Sequence, residues 1–454
     1  GKINNNSSYS LTGTIFDSKW SHSGQIPVRA IASGLISHFG SIDPTEGGVT
    51  SRNNLYLNLS TNLNNCSFLK NQFYYSKYDF ELYSNFTFFL DDSINGDQIR
   101  QRENRHLFGY NGAYSKDYYF GDKKVLFLSG LQYRHDFSFN NELSKSTNKV
   151  ETKQQIQLGD INETNVAAYF SNDLRLNDKW NLDLGLRYEV FFNKYIDKLN
   201  KNRIEKSIKG KLFPKINAQY NVNSNLRFNA KIGKGFHSND TRVAAPKQGK
   251  NVLPSSYGAD LGMTFKDNKR LVFTSALWYL WLDQEFVYVG DAGVIELGGR
   301  TQRLGMEMSI RYQFSKQWWI DMDANISNPR QIDADKGYQY IPLAPISTSI
   351  GGLTYKDDKG NFSASLRYRH MADRPANESN NVIAKGYMIW DAQMSYLYRK
   401  FTLGFQINNI LNSKWKETQF NTESRLKDEQ SPIEEIHYTA GNPFFLKLSL
   451  SYQL

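Results

Sequence analysis

Apolar and polar residues alternate strictly along NPFFLKLSLSYQL, residues 442–454, and no other feature constrains the fold of this chain as strongly. One set of alternate positions holds only apolar side chains: Phe444, Leu446, Leu448, Leu450, Tyr452 and Leu454. The positions between them are held by Phe445, Lys447, Ser449, Ser451 and Gln453. Because successive side chains of a strand point to opposite faces, the segment predicts a strand with one apolar face. A two-faced strand with an aromatic residue near its end is typical of an outer-membrane β-barrel, whose apolar face meets lipid.

The same alternation recurs from end to end of the chain. Residues 182–190, 226–233 and 362–369 each place apolar side chains at every second position, with charged or small residues between them. Single, regularly spaced charges fit a polar interior better than the dry core of a β-sandwich. No segment predicts a helix of about ten residues or more. The pattern therefore predicts an all-β chain of about 18 antiparallel strands.

Short turns alternate with long polar segments. The short turns are rich in Asn, Asp and Gly and include residues 177–178, 221–225 and 356–360. The predicted long segments are 22–52, 91–105, 194–206, 240–255, 331–343, 372–385 and 413–442. Short turns on one side and long loops on the other are typical of bacterial barrels, in which the long loops are extracellular.

Composition permits either a membrane barrel or a large soluble β-protein. Hydrophobic residues make up only 39% of the chain, and no run approaches the roughly 18 apolar residues of a membrane helix. Aromatic residues reach 14%, which argues against disorder and suits either an interfacial girdle or a soluble core. The net charge of +10 is spread along strands rather than gathered in blocks, which favours a basic interior over nucleic-acid binding. Cys66 is the single cysteine, which excludes an internal disulfide and a thiolate metal cluster.

Several strings near loops depart from the strand pattern. They are GQIPVRA (24–30), SNFTFFLDDSINGDQ (84–98), GFHSNDTR (235–242), FVYVGDAG (286–293), NNILN (408–412) and TQFNTESRL (418–426). With these strings the chain resembles the barrel part of a TonB-dependent outer-membrane receptor. NPFFLKLSLSYQL resembles the closing strand of that family, and NNILN followed by a long loop resembles its penultimate hairpin. The resemblance extends from residue 17 to residue 454.

The resemblance implies a receptor in the outer membrane of a Gram-negative bacterium. Such a receptor takes up a scarce, large nutrient, for example a ferric siderophore or a cobalamin-like complex. A plug fills its barrel of about 22 strands, and an inner-membrane TonB complex acts on a short N-terminal box. Residues 1–454 show no plug and no box, and they are expected to form one transmembrane barrel domain. About 18 strands are predicted where about 22 are expected. An open sheet would expose unpaired edges to lipid. Either the barrel closes with fewer strands, or the plug and the first strands come from a missing N-terminal segment or another polypeptide, and we favour the second alternative.

Two sets of candidate site residues follow. The first lies where strands should emerge on the outside and would contact a ligand, or else stabilise turns: His237, Asn239, Asp240, Phe286, Tyr288 and Asp291. The second would face the interior, where it attracts anionic ligands, pairs with carboxylates of a plug, or remains ordinary solvated charge. Its members are Arg134, Arg187, Arg227, Lys231, Arg367 and Arg369.

The string DDSINGD offers Asp91, Asn95 and Asp97 as calcium ligands, with oxygen-bearing residues at alternating positions and a glycine for the sharp turn. Arg102 stands where a calcium loop has its distal glutamate, so an acidic exposed turn is the alternative. No other cofactor is predicted.

No catalytic residues are predicted. Residues 237–240 contain side chains of hydrolase type, but neighbours in a strand point in opposite directions and cannot form a triad. The chain is therefore expected not to be an enzyme. A passive porin-like channel and a barrel that serves as scaffold or lid in a surface complex remain as alternatives to the receptor.

Overall fold

The computed structural model describes residues 1–453 except positions 65, 122, 247–252, 268–269 and 290–293. In this part of the chain one antiparallel sheet holds 19 strands, of which β1 (Lys2–Asn4) has only three residues. The other strands of the sheet are β2 (Ser7–Ser21), β4 (Gly47–Asn64), β5 (Ser67–Ser84), β6 (Ile99–Phe120), β7 (Lys123–Thr147), β8 (Glu151–Arg175), β9 (Trp180–Asp197), β10 (Arg203–Asn221), β11 (Leu226–Phe236), β12 (Ser255–Lys266), β13 (Leu271–Leu282), β16 (Thr301–Gln313), β17 (Trp318–Gln331), β18 (Ser347–Lys356), β19 (Phe362–Met371), β22 (Tyr387–Tyr398), β23 (Phe401–Asn408) and β26 (Phe445–Tyr452).

The remaining elements are short and belong to the connections. They are β3 (Ile26–Pro27), α1 (Val28–Ala32), α2 (Thr241–Ala244), β14 (Phe286–Val289), β15 (Val294–Leu297), β20 (Arg374–Pro375), β21 (Ile383–Ala384), β24 (Lys416–Ser424) and β25 (Ile433–Ala440). No helix among the described residues is long and apolar enough to cross a membrane.

The long strands form a single meander. Each pairs with the next long strand along the chain, from β2 with β4 through to β23 with β26. The prediction of an all-β sheet with about 18 long antiparallel strands is thereby confirmed. Within the described residues no pairing joins β26 to β1 or β2. The expected completion of the sheet by further strands stays a prediction.

One face of the sheet is a continuous apolar belt. In the last hairpin, Phe405 pairs with Leu448 and Leu403 with Leu450, and these four side chains are between 40% and 68% exposed. Apolar side chains exposed along a whole sheet face are stable only against an apolar medium, here lipid. The strand 445–452 therefore has the face that its alternation predicts.

Strand β5 shows where the apolar belt ends. Its outward positions include Leu69, Phe73 and Tyr75, and then Lys77 and Asp79, whose charged groups pair at 3.4 Å. The stretch from 69 to 75 covers about 20 Å at about 3.3 Å per residue, which suits a lipid-facing band about 25 Å tall. Because β7 and β8 have 25 residues each, they continue far beyond the belt on the loop side.

The opposite face is polar and faces the interior. One row of paired residues crosses it from β5 to β9: Tyr78, Arg105, Ser138, Ile161 and Tyr195. The connection that contains α2 packs on the end of this row, where Ala245 joins Ile161 and Tyr195 in a buried cluster. Since a segment of the chain itself covers this face, we call it the interior face.

Candidate functional site

The two ends of the meander differ in their connections. At one end the described turns contain two to five residues, as at 399–400, 176–179 and 357–361. The long connections lie at the other end, because every second connection of a meander falls on the same side. They are residues 22–46, 85–98, 237–254, 283–300, 332–346, 372–386 and 409–444. We refer to this side as the loop end.

The prediction of a long loop at 194–206 is wrong in its bounds. Strands β9 and β10 continue through most of it, and only residues 198–202 connect them. Above the apolar belt both faces of a strand are polar, so the alternation that marks a strand in lipid is lost there.

Three connections pack together at the loop end. We call them the loop cap, defined by residues 22–46, 85–98 and 413–442. Its buried centre contains Ala30, Phe88 and Leu426, against which further apolar side chains pack: Ile36, Ile42 and Phe89. Strand β3 pairs with β25, so the connection after β2 meets the connection before β26. The two ends of the meander are therefore neighbours at the loop end.

Arg29 holds the loop cap together. Its Nε lies 2.6 Å from Oε1 of Glu429 and its Nη1 lies 3.0 Å from Oε1 of Glu435. Its Nη2 also donates to Oγ of Ser424 at 3.0 Å. The side chain of Arg29 is only 15% exposed, so its charge is matched by two carboxylates in a setting with little solvent screening. Hydrogen bonds from Arg29 lower the pKa of Glu429.

His437 lies buried beneath this contact. Its Nε2 is 2.9 Å from Oγ of Ser424, and its ring stacks on Phe88 with centroids 6.0 Å apart. Burial lowers the pKa of His437 to about 3, and the positive charge of Arg29 acts in the same direction. The imidazole is therefore neutral at ordinary pH and serves as part of the cap core.

A second connection folds back onto the interior face. We call it the inner loop, residues 237–254, of which 247–252 lie outside the described residues. Asp240 caps α2 by accepting from the backbone N–H of Arg242 at 2.8 Å, and its carboxylate also accepts from the Arg242 side chain. Nη1 of Arg242 donates to Asn141 at 3.0 Å and to Gln157 at 3.1 Å on the wall. Burial would raise the pKa of Asp240, but Arg242 outweighs it and the pKa is lowered.

The next residue anchors the inner loop more deeply. Oγ1 of Thr241 donates to Oε2 of Glu163 at 2.7 Å and also lies 3.0 Å from Oδ1 of Asn193. An apolar contact completes the attachment, since Phe191 and Ala244 are buried in one cluster. The inner loop is thus fixed to the walls formed by β7, β8 and β9.

The predicted ligand residues are only partly brought together. His237 is exposed and Asn239 is buried beside Asp240 in the inner loop. Phe286 and Tyr288 lie in β14, but their side chains are outside what the structure describes, and so is Asp291. A ligand-binding role for this set stays a prediction.

Most of the predicted interior cations have nearby acidic or amide groups. Arg134 lies 2.7 Å from Asp136, Arg367 2.7 Å from Asp321, and Arg369 3.9 Å from Asp391. Arg187 contacts Glu189 and Gln132, and Arg227 donates to Asn221. Lys231 stands across from Asp260 in the register. Their proposed attraction for anionic ligands stays a prediction.

The string with the predicted calcium ligands forms a tight loop. The carboxylate of Asp97 accepts from the backbone N–H groups of Leu90 and Asp92, and Asp91 contacts Lys145 at 3.0 Å. Among the described residues no group of three or more His, Cys, Asp and Glu side chains could hold a metal ion. A calcium ion held by Asp91, Asn95 and Asp97 stays a prediction.

The contacts of Arg29 and His437 were not predicted. Arg29 lies in GQIPVRA and its acceptor Ser424 in TQFNTESRL, two strings that depart from the strand pattern, whereas Glu429 and Glu435 lie beyond the second string. That departure is the only indication in the sequence that these segments form contacts outside the sheet. It does not say that the two strings meet, because Arg29 and Ser424 are 395 residues apart.

An apolar belt, a polar interior face and structured loops at one end define the molecule as a transmembrane β-barrel protein. The chain belongs to the family described as TonB dependent receptor-like, beta-barrel, whose model matches residues 2–410. This is a family of transport receptors of the Gram-negative outer membrane and not of enzymes.

Solved structures of low sequence identity share the fold. A ferric citrate transporter, FecA, in the unliganded form is 15% identical with a TM-score of 0.80, covering 98% of this chain and 67% of that one. The siderophore receptor PiuA from Acinetobacter baumannii is 12% identical with a TM-score of 0.77, covering 98% and 72%. The ferric yersiniabactin uptake receptor FyuA from Yersinia pestis is 11% identical with a TM-score of 0.74, covering 98% and 68%. A comparison with curated protein sequences found no match.

Proposed function

We propose that this chain forms the wall of an outer-membrane receptor that imports a scarce, large nutrient in a TonB-dependent manner. The nutrient class is a ferric siderophore or a cobalamin-like complex. The ligand would arrive at the loop end and meet the loop cap and the inner loop before it passes along the interior face. A plug and the contact with TonB would come from a segment outside residues 1–454 or from another polypeptide.

One observation carries this proposal. The family model covers most of a chain whose long connections are folded into ordered, buried contacts at the loop end. Ordering a loop costs conformational entropy. Passage of small solutes does not require ordered loops, whereas recognition of a ligand does, because binding residues on loops have to be held in place. Ordered loops above a polar interior suit recognition of a ligand before passage.

The proposal is tested in the native host under nutrient starvation. The gene would be deleted, and uptake of radiolabelled ferric siderophores and radiolabelled cobalamin would be measured in cells with and without an active TonB complex. The expected result is loss of uptake of one ligand class on deletion, and restoration by the wild-type gene only when TonB is active.

The alternatives give different results. A passive channel would restore uptake without TonB and would show steady single-channel conductance in planar bilayers. A scaffold or lid would leave uptake unchanged and would copurify in a fixed ratio with a surface partner. Either result would overturn the receptor proposal.

A further inference from the structure

Two lysines stand directly opposite each other on the outward face of β9 and β10. Lys194 pairs with Lys206 in the register, and we call these two residues the lysine pair. They point outward because the neighbouring Tyr195 faces the interior. The next outward residues toward the apolar belt, Phe192 and Ile208, also pair with each other and are 42% and 68% exposed. The lysine pair therefore lies on the loop side of apolar side chains that face lipid.

The lysine pair has no acidic partner. Among the described residues neither ammonium group has a hydrogen-bond or ion-pair partner, unlike Lys77, an outward lysine of β5 that lies 3.4 Å from Asp79. Directly opposite side chains have Cβ atoms about 4.5–5.5 Å apart, and like charges in such a pair destabilise the sheet. An anion that accepts from both ammonium groups removes this repulsion. Asn162 of β8 pairs with Lys194 on the other side and is exposed, so its amide offers a further donor.

A groove crosses the outward face below the lysine pair. It has a volume of about 740 Å³ and is lined by residues of β5 to β10. Three small residues lower its floor, namely Gly112 of β6, Ser129 of β7 and Ala168 of β8, and larger side chains such as Phe170 and Tyr188 stand around them. A groove in a lipid-facing surface contacts an acyl chain on its sides as well as beneath it, and each added contact gains dispersion energy.

The register connects the groove to the lysine pair. Tyr188 and Leu212 line one end of the groove and pair with each other. Each lies six residues from a lysine of its own strand, 188 to 194 on β9 and 206 to 212 on β10, which is about 20 Å at about 3.3 Å per residue. A strand tilted by about 40° descends about 15 Å over that length, which is half of a hydrocarbon core about 30 Å thick. One lipid molecule can therefore reach the lysine pair with its headgroup and the groove with an acyl chain.

This surface is independent of whatever completes the barrel. A plug would lie on the interior face, and further strands would extend the sheet at its first or last strand. Strands β9 and β10 lie within the meander and are paired on both sides, with β8 and β11 as their outer neighbours. Their outward face is therefore open to the membrane in each of these cases.

We propose that the lysine pair and the groove bind one phosphorylated lipid of the outer leaflet. A phosphate group of the lipid accepts from Lys194, Lys206 and the amide of Asn162, and an acyl chain lies in the groove. The long loops mark the loop end as extracellular, which places the lysine pair in the outer leaflet. The inference goes beyond the proposed function and does not depend on which nutrient the receptor imports.

Binding is measured by native mass spectrometry on the receptor purified from outer membranes, freed of lipid in detergent and titrated with lipid A. The comparison probes are lipid A without its phosphate groups and inorganic phosphate. Lipid A is expected to bind first as a single molecule per receptor and more tightly than its dephosphorylated form. Inorganic phosphate at millimolar concentration is expected not to displace it, because it lacks the acyl chain. Each variant is first shown to be folded by the mobility of unheated samples on SDS gels.

The double variant Lys194→Gln with Lys206→Gln tests the headgroup contact. It is expected to weaken binding of lipid A about thirtyfold, because both cationic contacts to the phosphate are lost, and to remove the preference for the phosphorylated form. The matched control is Lys77→Gln, which removes an outward lysine that already pairs with Asp79 and is expected to leave binding unchanged.

The variant Ala168→Phe tests the groove. The added ring fills the floor, and binding of both forms of lipid A is expected to weaken several-fold. Ala230→Phe is the control, since it adds the same ring to the outward face of β11, where Ala230 pairs with the outward Leu261. This control is expected to bind lipid A as the wild type does.

Four results would overturn the proposal: no binding of lipid A to the wild type, equal binding of its phosphorylated and dephosphorylated forms, displacement by inorganic phosphate, or weakening by Lys77→Gln equal to that of the double variant. A receptor dimer that Ala168→Phe dissociates would assign the groove to a second copy of the chain and would also overturn it.

Discussion

At the scale of single residues, the loop cap depends on a few polar groups with well-defined partners. Arg29 offers a rigid, planar set of donors, and Glu429, Glu435 and Ser424 accept from different edges of it. The planar guanidinium fixes both the distance and the direction of each hydrogen bond to its acceptors, which the single ammonium group of a lysine does not. The identity of residue 29 therefore matters more than its charge.

Arg29→Lys is expected to loosen the loop cap by about 1–3 kcal/mol, because lysine keeps the charge but cannot serve two carboxylates and a hydroxyl at once. Hydrogen exchange of peptides covering residues 416–440 would show the loss as faster exchange. Arg300→Lys is the control, since Arg300 pairs with Asp333 in an exposed setting where such a pair contributes little. Equal effects of the two substitutions would mean that Arg29 acts only through its charge.

The stability of the loop cap is expected to decrease as the pH is lowered from 7 to 5. The folded-state pKa of His437, about 3, lies below its unfolded value of about 6.5. The unfolded cap therefore binds protons first, and the stability that is complete above pH 6.5 is lost at up to about 1.4 kcal/mol per unit as the pH falls. Glu429 also has a lowered pKa, but its contribution is lost only below its unfolded value near 4.5.

Protease digestion of the loop cap at pH 7 and pH 5 measures this dependence, with a protease active at both values. His22 and His38 of the cap also have pKa values lowered by burial and contribute with the same sign. His437→Gln, which keeps a polar group near Ser424, is expected to reduce the pH dependence by the larger part. An unchanged pH dependence in this variant would assign the effect to His22 and His38.

At the scale of elements, each strand carries two different surfaces on adjacent residues. Strand β26 shows this in its shortest form, with Leu448 facing outward in register with Phe405 and Ser449 facing the other way beside Gly404. The difference between the two faces comes from the medium each one meets rather than from the backbone. Two neighbouring residues can therefore be used to test the assignment of the faces.

Leu448→Arg is expected to reduce the folded fraction, because arginine in the middle of a lipid-facing band costs about 2–4 kcal/mol. Ser449→Arg places the same side chain one residue later on the interior face, where water can solvate it, and is expected to be nearly neutral. The folded fraction can be read from the mobility of unheated samples on SDS gels. Equal losses in both variants would contradict the assignment of the outward face.

The elements also show what the sequence could and could not predict. The strands near lipid were predictable, because lipid imposes a period of two on residues such as those of 362–369. The strand ends above the belt were not, since β9 and β10 run on through a polar stretch that was predicted as loop. The cap contacts depend on residues far apart in sequence, and no local pattern carries that information. The inner loop could be located from GFHSNDTR, but not the use of Asp240 to cap its helix.

At the scale of the whole molecule, the meander curves until its two ends meet through the loop cap. Ile26 and Tyr438 are partners in the pairing of β3 with β25, although one follows β2 and the other precedes β26. Residues that pair across antiparallel strands have Cα atoms about 4.5–5.5 Å apart. This distance is compatible with a disulfide.

An intramolecular disulfide is therefore expected in the variant Ile26→Cys with Tyr438→Cys, made in a Cys66→Ser background and expressed in the cell envelope. The oxidised, denatured chain would migrate faster on SDS gels than the reduced one, since the bridge closes a loop of nearly the whole chain. The two single-cysteine variants should show no such shift. Absence of the shift in the double variant would show that the two ends of the meander do not meet as described.

The contact between Arg29 and Glu429 also has a consequence for the order of folding. The two residues are 400 positions apart, and a chain is made and delivered in order. The cap segment 22–46 cannot bury its apolar side chains until the segment 413–442 has been placed. Contacts of such large sequence separation form late in folding. In a partly folded chain this segment is exposed and accessible to proteases, whereas in the fully folded chain it is buried. Burial of the first cap segment therefore indicates that the last hairpin has been assembled.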